Sequence, residues 1–300
     1  MMTCPPDSTP AIRSCASIIA FVASILLADS FLIADDWPQW GGAQRDCVWH
    51  EDGIVEKLPT DGLLPRVWSV EVAEGYSGPA VANGRVFLTD RIADGEFERL
   101  LCFDAETGKT LWKHEYYVRY TISYAFGPRA TPVIDGDRVY FVGAQGHMFC
   151  MNVDDGTILW QKQFEKDFGT EMPIWGMAAS PLVDGDKLIT LVGGKDNGLI
   201  ICFDKHTGKE LWRSLDDPGI GYCPPVIYEF AGRRQLIVWH PTAVSSLDPE
   251  TGTVLWEVPW AIKAGLCVPM PRKLDDRLFL TSFYEGPHML KVGADHADIL

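Results

Sequence analysis

Asp104-Ala-Glu-Thr-Gly108-Lys-Thr-Leu-Trp112 returns three times, as Asn152-Val-Asp-Asp-Gly156-Thr-Ile-Leu-Trp160, Asp204-Lys-His-Thr-Gly208-Lys-Glu-Leu-Trp212 and Asp248-Pro-Glu-Thr-Gly252-Thr-Val-Leu-Trp256. All four copies keep the acid or amide, the glycine and the tryptophan. Trp68 closes an earlier, degenerate copy, and the five tryptophans follow one another at intervals of 44, 48, 52 and 44 residues. A fixed period of that length is the mark of a repeat architecture whose unit holds four short strands.

A second signature precedes each of the first three copies. Pro79-Ala-Val-Ala-Asn83-Gly84-Arg-Val-Phe, Pro132-Val-Ile-Asp135-Gly136-Asp-Arg-Val-Tyr and Pro181-Leu-Val-Asp184-Gly185-Asp-Lys-Leu-Ile set an Asn-Gly or Asp-Gly pair between two β-prone runs. Such a pair closes tight hairpins because both central residues of a type I′ turn take positive φ. It predicts strands A and B. The runs at 100–104 and 148–152 then read as strand C, with Leu111-Trp112 and its equivalents on strand D. In the C-to-D turn the Asp104 carboxylate is placed to accept backbone N–H groups, and Gly108 supplies a left-handed residue. Asp104, Asn152, Asp204 and Asp248 therefore read as turn formers. One Trp per repeat is what face-to-face sheets need to fill the wedge between them. The fold expected is all-β, a β-propeller of four-stranded blades.

The bulk numbers agree with a globular, exported chain. Hydrophobic residues make 47% and charged residues 22% of 300, within the range of packed domains. A net charge of -15 leaves no basic surface for phosphates, which argues against nucleic acid or anionic lipid as partner. At the N-terminus Arg13 precedes the apolar run from Cys15 to Ala28 and then Phe31-Leu-Ile-Ala34. This reads as a signal peptide over residues 1–34, with the propeller over 35–300 and a periplasmic or secreted location. Asp29 interrupts the run, so a retained signal anchor is the minor alternative. Cys102, Cys150 and Cys202 occupy equivalent repeat positions and read as small buried hydrophobes.

The docking nonapeptide together with Pro-x-Val-x-Asp-Gly resembles the tryptophan-docking repeat of PQQ-type propellers over roughly residues 37–292. Trp37-Pro-Gln-Trp40-Gly-Gly resembles the start of exported bacterial members. That family includes quinoprotein alcohol and glucose dehydrogenases and a propeller subunit of the outer-membrane barrel-assembly machinery. The dehydrogenase resemblance implies PQQ with calcium on the propeller axis, a catalytic Asp and an adjacent Cys-Cys disulfide. This sequence has no Cys-Cys pair and no Cys-x-x-Cys-His for covalent haem. Dehydrogenase propellers usually hold eight blades, whereas four complete units and a fifth A-B-C set from Val268 to Val292 are found here, with no turn-plus-Trp signature at the end. Either Val67-Trp68 closes a five-blade ring, or the chain is a truncated seven- or eight-bladed ring; we favour truncation.

A-B and C-D turns fall on one face of such a blade, and B-C and D-A loops on the other. The second face carries the irregular aromatic and charged segments, and function concentrates on such loops. Arg129, Trp175, Lys195, Asp196, His240 and Glu285 are the candidate ligand-binding residues there, with Trp175 stacking a planar ligand and Arg129 and Lys195 pairing its carboxylates. The docking set Asp104, Gly108, Trp112, Asn152, Gly156, Trp160, Asp204, Gly208, Trp212, Asp248, Gly252 and Trp256 is structural. Cys223 and Cys267 precede Pro225 and Pro269 by two residues each, and are a disulfide or two free thiols. The seven histidines lack zinc spacing, and neither a Ser-His-Asp order nor a phosphate loop stands out. The expected function is a non-catalytic binding or assembly scaffold that takes a protein partner or small ligand on the loop face. The alternative is a PQQ-dependent dehydrogenase, and a sensor or adhesion module is a third class.

Overall fold

Tight A-B hairpins open every blade, but with two turn geometries where one was expected. In the computed structural model Ala82 pairs with Arg85, so Asn83 and Gly84 form the two-residue loop, both with positive φ. In the next two blades Asp135 pairs with Arg138 and Asp184 with Lys187. There the glycine, Gly136 or Gly185, is the first loop residue and the aspartate belongs to the strand. Glycine at that first position suits a type II′ turn, which follows the sheet twist as well as type I′ does.

The structure describes Met1 and residues 35–300, except 54, 55, 61, 63, 93, 95 and 123–125. The signal segment expected over 1–34 otherwise lies outside the described residues. Five four-stranded antiparallel sheets follow in chain order, each with its strands in sequence order. Blade 1 is β1 (Ala80–Ala82), β2 (Arg85–Ile92), β3 (Phe97–Asp104) and β4 (Thr110–Tyr117). Blade 2 is β5 (Val133–Asp135), β6 (Arg138–Val142), β7 (His147–Asn152) and β8 (Ile158–Gln163), and a short helix α1 (Phe164–Phe168) follows it. Blade 3 is β9 (Leu182–Asp184), β10 (Lys187–Gly194), β11 (Gly198–Asp204) and β12 (Glu210–Ser214). Blade 4 is β13 (Val226–Phe230), β14 (Arg233–His240), β15 (Ala243–Leu247) and β16 (Val254–Pro259). Blade 5 is β17 (Arg272–Leu274), β18 (Arg277–Ser282), β19 (Gly286–Val292) and β20 (Ala297–Ile299). The chain is a β-propeller.

β20 corrects the expectation of an unfinished last blade. Ala297, Asp298 and Ile299 pair with Val292, Lys291 and Leu290, so Asp295-His296-Ala297-Asp298 does lead into a fourth strand. Ladder pairing needs only backbone, and this turn forms without the repeat signature, with the His296 ring packed against Gly293. Val67-Trp68 is therefore not needed as the fourth strand of blade 5.

The wedges between blades are filled as the repeat requires. The Asp104 carboxylate accepts from Thr107 N and Oγ1, Asp204 accepts likewise from Thr207, and Gly108 and Gly208 close their turns at positive φ. In blades 1 to 4 the C-D ladder slips next to the residue opposite the tryptophan, which is Cys102, Cys150, Cys202 or Ser246. Each tryptophan ring then covers the turn glycine of the following blade: Trp68 on Gly108, Trp112 on Gly156, Trp160 on Gly208 and Trp212 on Gly252. Trp68, Trp112 and Trp160 also donate Nε1 to the carbonyls of Ala105, Val153 and Lys205. Trp256 meets a blade without that turn, and donates to Gln235 Oε1 at 2.7 Å. Gln235 in turn donates Nε2 to the Gly293 carbonyl of blade 5. The core is accordingly a series of interblade layers, between blades 1 and 2, through blades 2 to 4, and between blades 4 and 5.

The first strands of blades 1 to 3 neighbour one another, β1 with β5 and β5 with β9. Their free edges would be unpaired without cover. Residues 36–47 supply part of it as a strap. Trp37 forms an antiparallel bridge with Val81 on the open edge of β1, and Pro38 O accepts from Ile134 N of β5. Further on, Arg45 donates to the carbonyls of Pro181 and Ser180 at the entry to β9, and to Gln39 Oε1.

Candidate functional site

The loops that join one blade to the next assemble an aromatic and charged cluster from residues far apart in sequence. Arg129, on the loop between β4 and β5, stacks its guanidinium 5.1 Å from the Tyr76 ring centroid and donates to Gly127 O. It lies within electrostatic reach of Tyr120, Glu98 and Tyr222, and burial lowers its pKa. Trp175, from the loop before β9, sits 5.6 Å from the Tyr222 ring and hydrogen-bonds the Tyr222 hydroxyl through its backbone. Burial pushes the Tyr222 hydroxyl up. The structure thus sets Arg129 against Tyr76 and Trp175 against Tyr222, with Tyr222 within electrostatic reach of Arg129.

Sequence reading missed the deepest member of this cluster. Glu98, in β3, is fully buried and accepts from Tyr116 Oη, Tyr120 Oη and Ala144 N. Burial raises its pKa, and the hydrogen bonds from Tyr116 and Tyr120 oppose that shift. Arg91 packs over Tyr120 and Phe126 at 4.2 and 4.7 Å. Gly143 has no room for a side chain against Tyr116 and Glu98. A charged residue within a strand run, Phe97-Glu98-Arg99-Leu100, was the available signal: a buried Glu requires a partner set of this kind.

The other predicted residues fall elsewhere. Lys195 is exposed beside Asp196 and Asn197, which turn the β10–β11 hairpin at positive φ. Lys195 shares a cavity of about 280 Å³ with Glu171, Asp216, Asp217 and Gly219. His240 is buried and bonded to Asp217 and Ser245, so it faces protein and not the loop surface. Glu285 accepts from Ser282 Oγ and Lys263 N, which ties blade 5 to the preceding loop; the Ser282 bond is the main reason its pKa is lowered. Cys223 and Cys267 are free, buried thiols whose pKa values burial raises, to about 12 for Cys267.

Among the described residues no group of three or more His, Cys, Asp or Glu side chains is placed to hold a metal ion. The inner edges of blades 1 and 2 are engaged by the strap. The donor set does not fit a calcium-bound quinone, and no chemical step is derived through one. No helix of the described residues is long and apolar enough to cross a membrane.

Fold and wedge chemistry define a tryptophan-closed repeat propeller with a polar and aromatic loop face. The family model described as outer membrane protein assembly factor BamB matches residues 65–190 and 96–266, and the chain belongs to that family. It is 23% identical over 201 residues to a quinoprotein ethanol dehydrogenase of Pseudomonas putida, covering 62% of this chain and 31% of that one. It is 25% identical over 146 residues to the outer membrane protein assembly factor BamB of Moranella endobia (strain PCIT), covering 46% of this chain and 32% of that one. The chain therefore aligns with about a third of the length of these two relatives. Among solved structures it is similar to the quinohemoprotein alcohol dehydrogenase from Comamonas testosteroni, with a TM-score of 0.58, 14% identity, and coverage of 85% of this chain and 46% of that one. That likeness shows the fold.

Proposed function

We propose that this chain is an exported propeller scaffold, without catalysis, that holds a protein segment or small ligand on its loop face. The observation carrying this reading is the strap. The chain's own residues 36–47 line edges of the first blades, and the buried Arg45 donates through its two terminal nitrogens to Gln39 and two backbone carbonyls. A relative named as an assembly factor makes a protein partner the natural occupant. The Arg129, Tyr76, Trp175 and Tyr222 cluster offers aromatic faces and one cation, the residue types enriched at binding hot spots. Export follows from the N-terminal segment.

The test is reconstitution with PQQ and calcium followed by dye-linked oxidation of alcohols and sugars. Activity at background and no quinone retained on gel filtration are expected; turnover would overturn the scaffold reading in favour of a dehydrogenase. Crosslinking in the native envelope, with a photoreactive residue at position 175, should trap a partner that Arg129→Ala loses.

A further inference from the structure

The strap covers blade edges in a regular way. Blades 1 to 3 open with a two-residue hairpin whose flanking residues form the first hydrogen-bonded pair: Ala82 with Arg85, Asp135 with Arg138 and Asp184 with Lys187. Ladder bonds alternate along an antiparallel pair, so Val81, Ile134 and Val183, one residue earlier, turn their N–H and C=O groups to the free edge. In blade 4 the first pair is Phe230 with Arg233, which gives Glu229 and Ile227 that orientation. Trp37 N donates to Val81 O at 2.8 Å and Trp37 O accepts from Val81 N at 2.9 Å, while the next residue, Pro38, accepts from Ile134 N at 2.9 Å. Consecutive residues of one chain thus serve consecutive blades.

The same positions of blades 3 and 4 are left over. Among the described residues no backbone group from outside their own sheets bonds to Val183, Ile227 or Glu229. An open edge of this kind is a template for another chain. All three residues line one cavity of about 330 Å³, together with Gln39 and Arg45 of the strap. Arg45 gives an independent sign. It is 4% exposed, and its bonds go to neutral acceptors, Gln39 Oε1 at 3.1 Å, Pro181 O at 2.8 Å and Ser180 O at 3.1 Å. Its Nε is buried without a partner. Three of the five guanidinium N–H groups are therefore used, none of them on a carboxylate, whereas a buried cation is ordinarily paired. Burial brings the Arg45 pKa down to about 10, as befits a guanidinium short of an anion.

We propose that the edges of β9 and β13 bind an extended segment of a partner polypeptide, whose successive residues bond to Val183 and Ile227 as Trp37 and Pro38 bond to Val81 and Ile134, and whose acidic side chain pairs with Arg45. This rests on the reading above that the chain holds a protein segment, but it seats that segment on residues distinct from the loop-face cluster. Main-chain bonds supply affinity at such an edge, and Arg45 supplies the preference for an acid.

Selection of a random octapeptide library on the full chain, followed by hydrogen exchange of the complex, tests this. Strand-prone peptides carrying Asp or Glu should be enriched, and should slow exchange of the Val183, Ile227 and Glu229 amides. N-methylation of the peptide at the N–H that meets Val183 O should weaken binding about threefold to tenfold. Ile227→Pro, which removes an edge N–H that the ladder does not use, should do the same. Changing the peptide's acid to its amide should cost about tenfold or more. Failure to enrich any peptide overturns the proposal, as does a selected peptide indifferent to both N-methylation and loss of its acid. Edge protection that rises with protein concentration in the absence of peptide assigns the edge to a second copy and also overturns it. Protection around Trp175 and Tyr222 instead sinks the edge site and leaves the loop-face reading standing, while a loop face that takes nothing leaves the edge result intact, so the two failures are distinguishable.

Discussion

Replacing one glycine with alanine in each of two turns of blade 2 separates wedge chemistry from backbone strain. Gly136 and Gly156 both adopt positive φ, 58° and 73°. A Cβ at Gly136 meets nothing within 4 Å, whereas at Gly156 it meets Trp112 Cε3 at 2.7 Å and Cδ2 and Cζ3 at 3.0 Å. Both variants bear a positive-φ cost, about 1–2 kcal/mol for the left-handed Gly156 and about 1–3 kcal/mol at the first type II′ position of Gly136. Gly156→Ala must also drive the indole back by roughly 1 Å to reach ordinary carbon contact. That breaks the bond from Trp112 to Val153 O, worth about 1 kcal/mol, and opens the packing against Phe87. Loss of a whole buried tryptophan, about 3–5 kcal/mol, bounds the packing term. The expected totals are about 1–3 kcal/mol for Gly136→Ala and about 3–5 kcal/mol for Gly156→Ala. Calorimetry reads the gap as a midpoint difference of about 4–10 °C for a chain of this size. In a Trp112→Ala background Gly156→Ala should fall back to the strain cost, a coupling of about 2 kcal/mol. Equal midpoints for the two single variants, or no coupling, would refute the view that the glycine exists to admit the ring.

Three further outcomes follow from the same contacts. Gln235→Met should lower the thermal midpoint and expose β20 to exchange first, because it strands Trp256 Nε1, Ser246 Oγ and the Gly293 carbonyl at about 1–3 kcal/mol each. Arg45→Met should release the strap, seen as new proteolytic cuts within residues 36–50 while blades 2 to 4 stay folded. Alkylation at about pH 9 should modify exposed Cys47 and spare Cys102, Cys202 and Cys267, whose buried thiols are pushed up to about 12 and so stay protonated. Rapid labelling of Cys267 in the folded protein would contradict its burial.

How much was legible in the chain depends on the range of the interaction. The turn acid, the glycine and the tryptophan act within nine residues or on the next blade, and their repetition four times made the strand order of the first four blades readable. The A-B turns were placed one residue off in blades 2 and 3, because Asp-Gly and Gly-Asp lie side by side in Asp135-Gly136-Asp137 and only pairing decides which two residues form the loop. The β20 strand was missed because ladder bonds involve no side chain and the turn before it carries no Gly and Trp signature. At the loop face the residue types were right, but convergence depends on how five sheets orient their connecting loops. Trp175 meets the Tyr222 ring, and Arg129 lies within electrostatic reach of Tyr222, more than 40 residues from either in the chain, and no local spacing encodes that. His240 illustrates the opposite error: a histidine beside Trp239 at the end of β14 looks like a surface ligand until Asp217, 23 residues earlier, is seen to pair with it inside the protein. Buried polar residues in strand runs, Glu98 above all, are therefore the better pointers to this site, since each one obliges the fold to bring several partners to it.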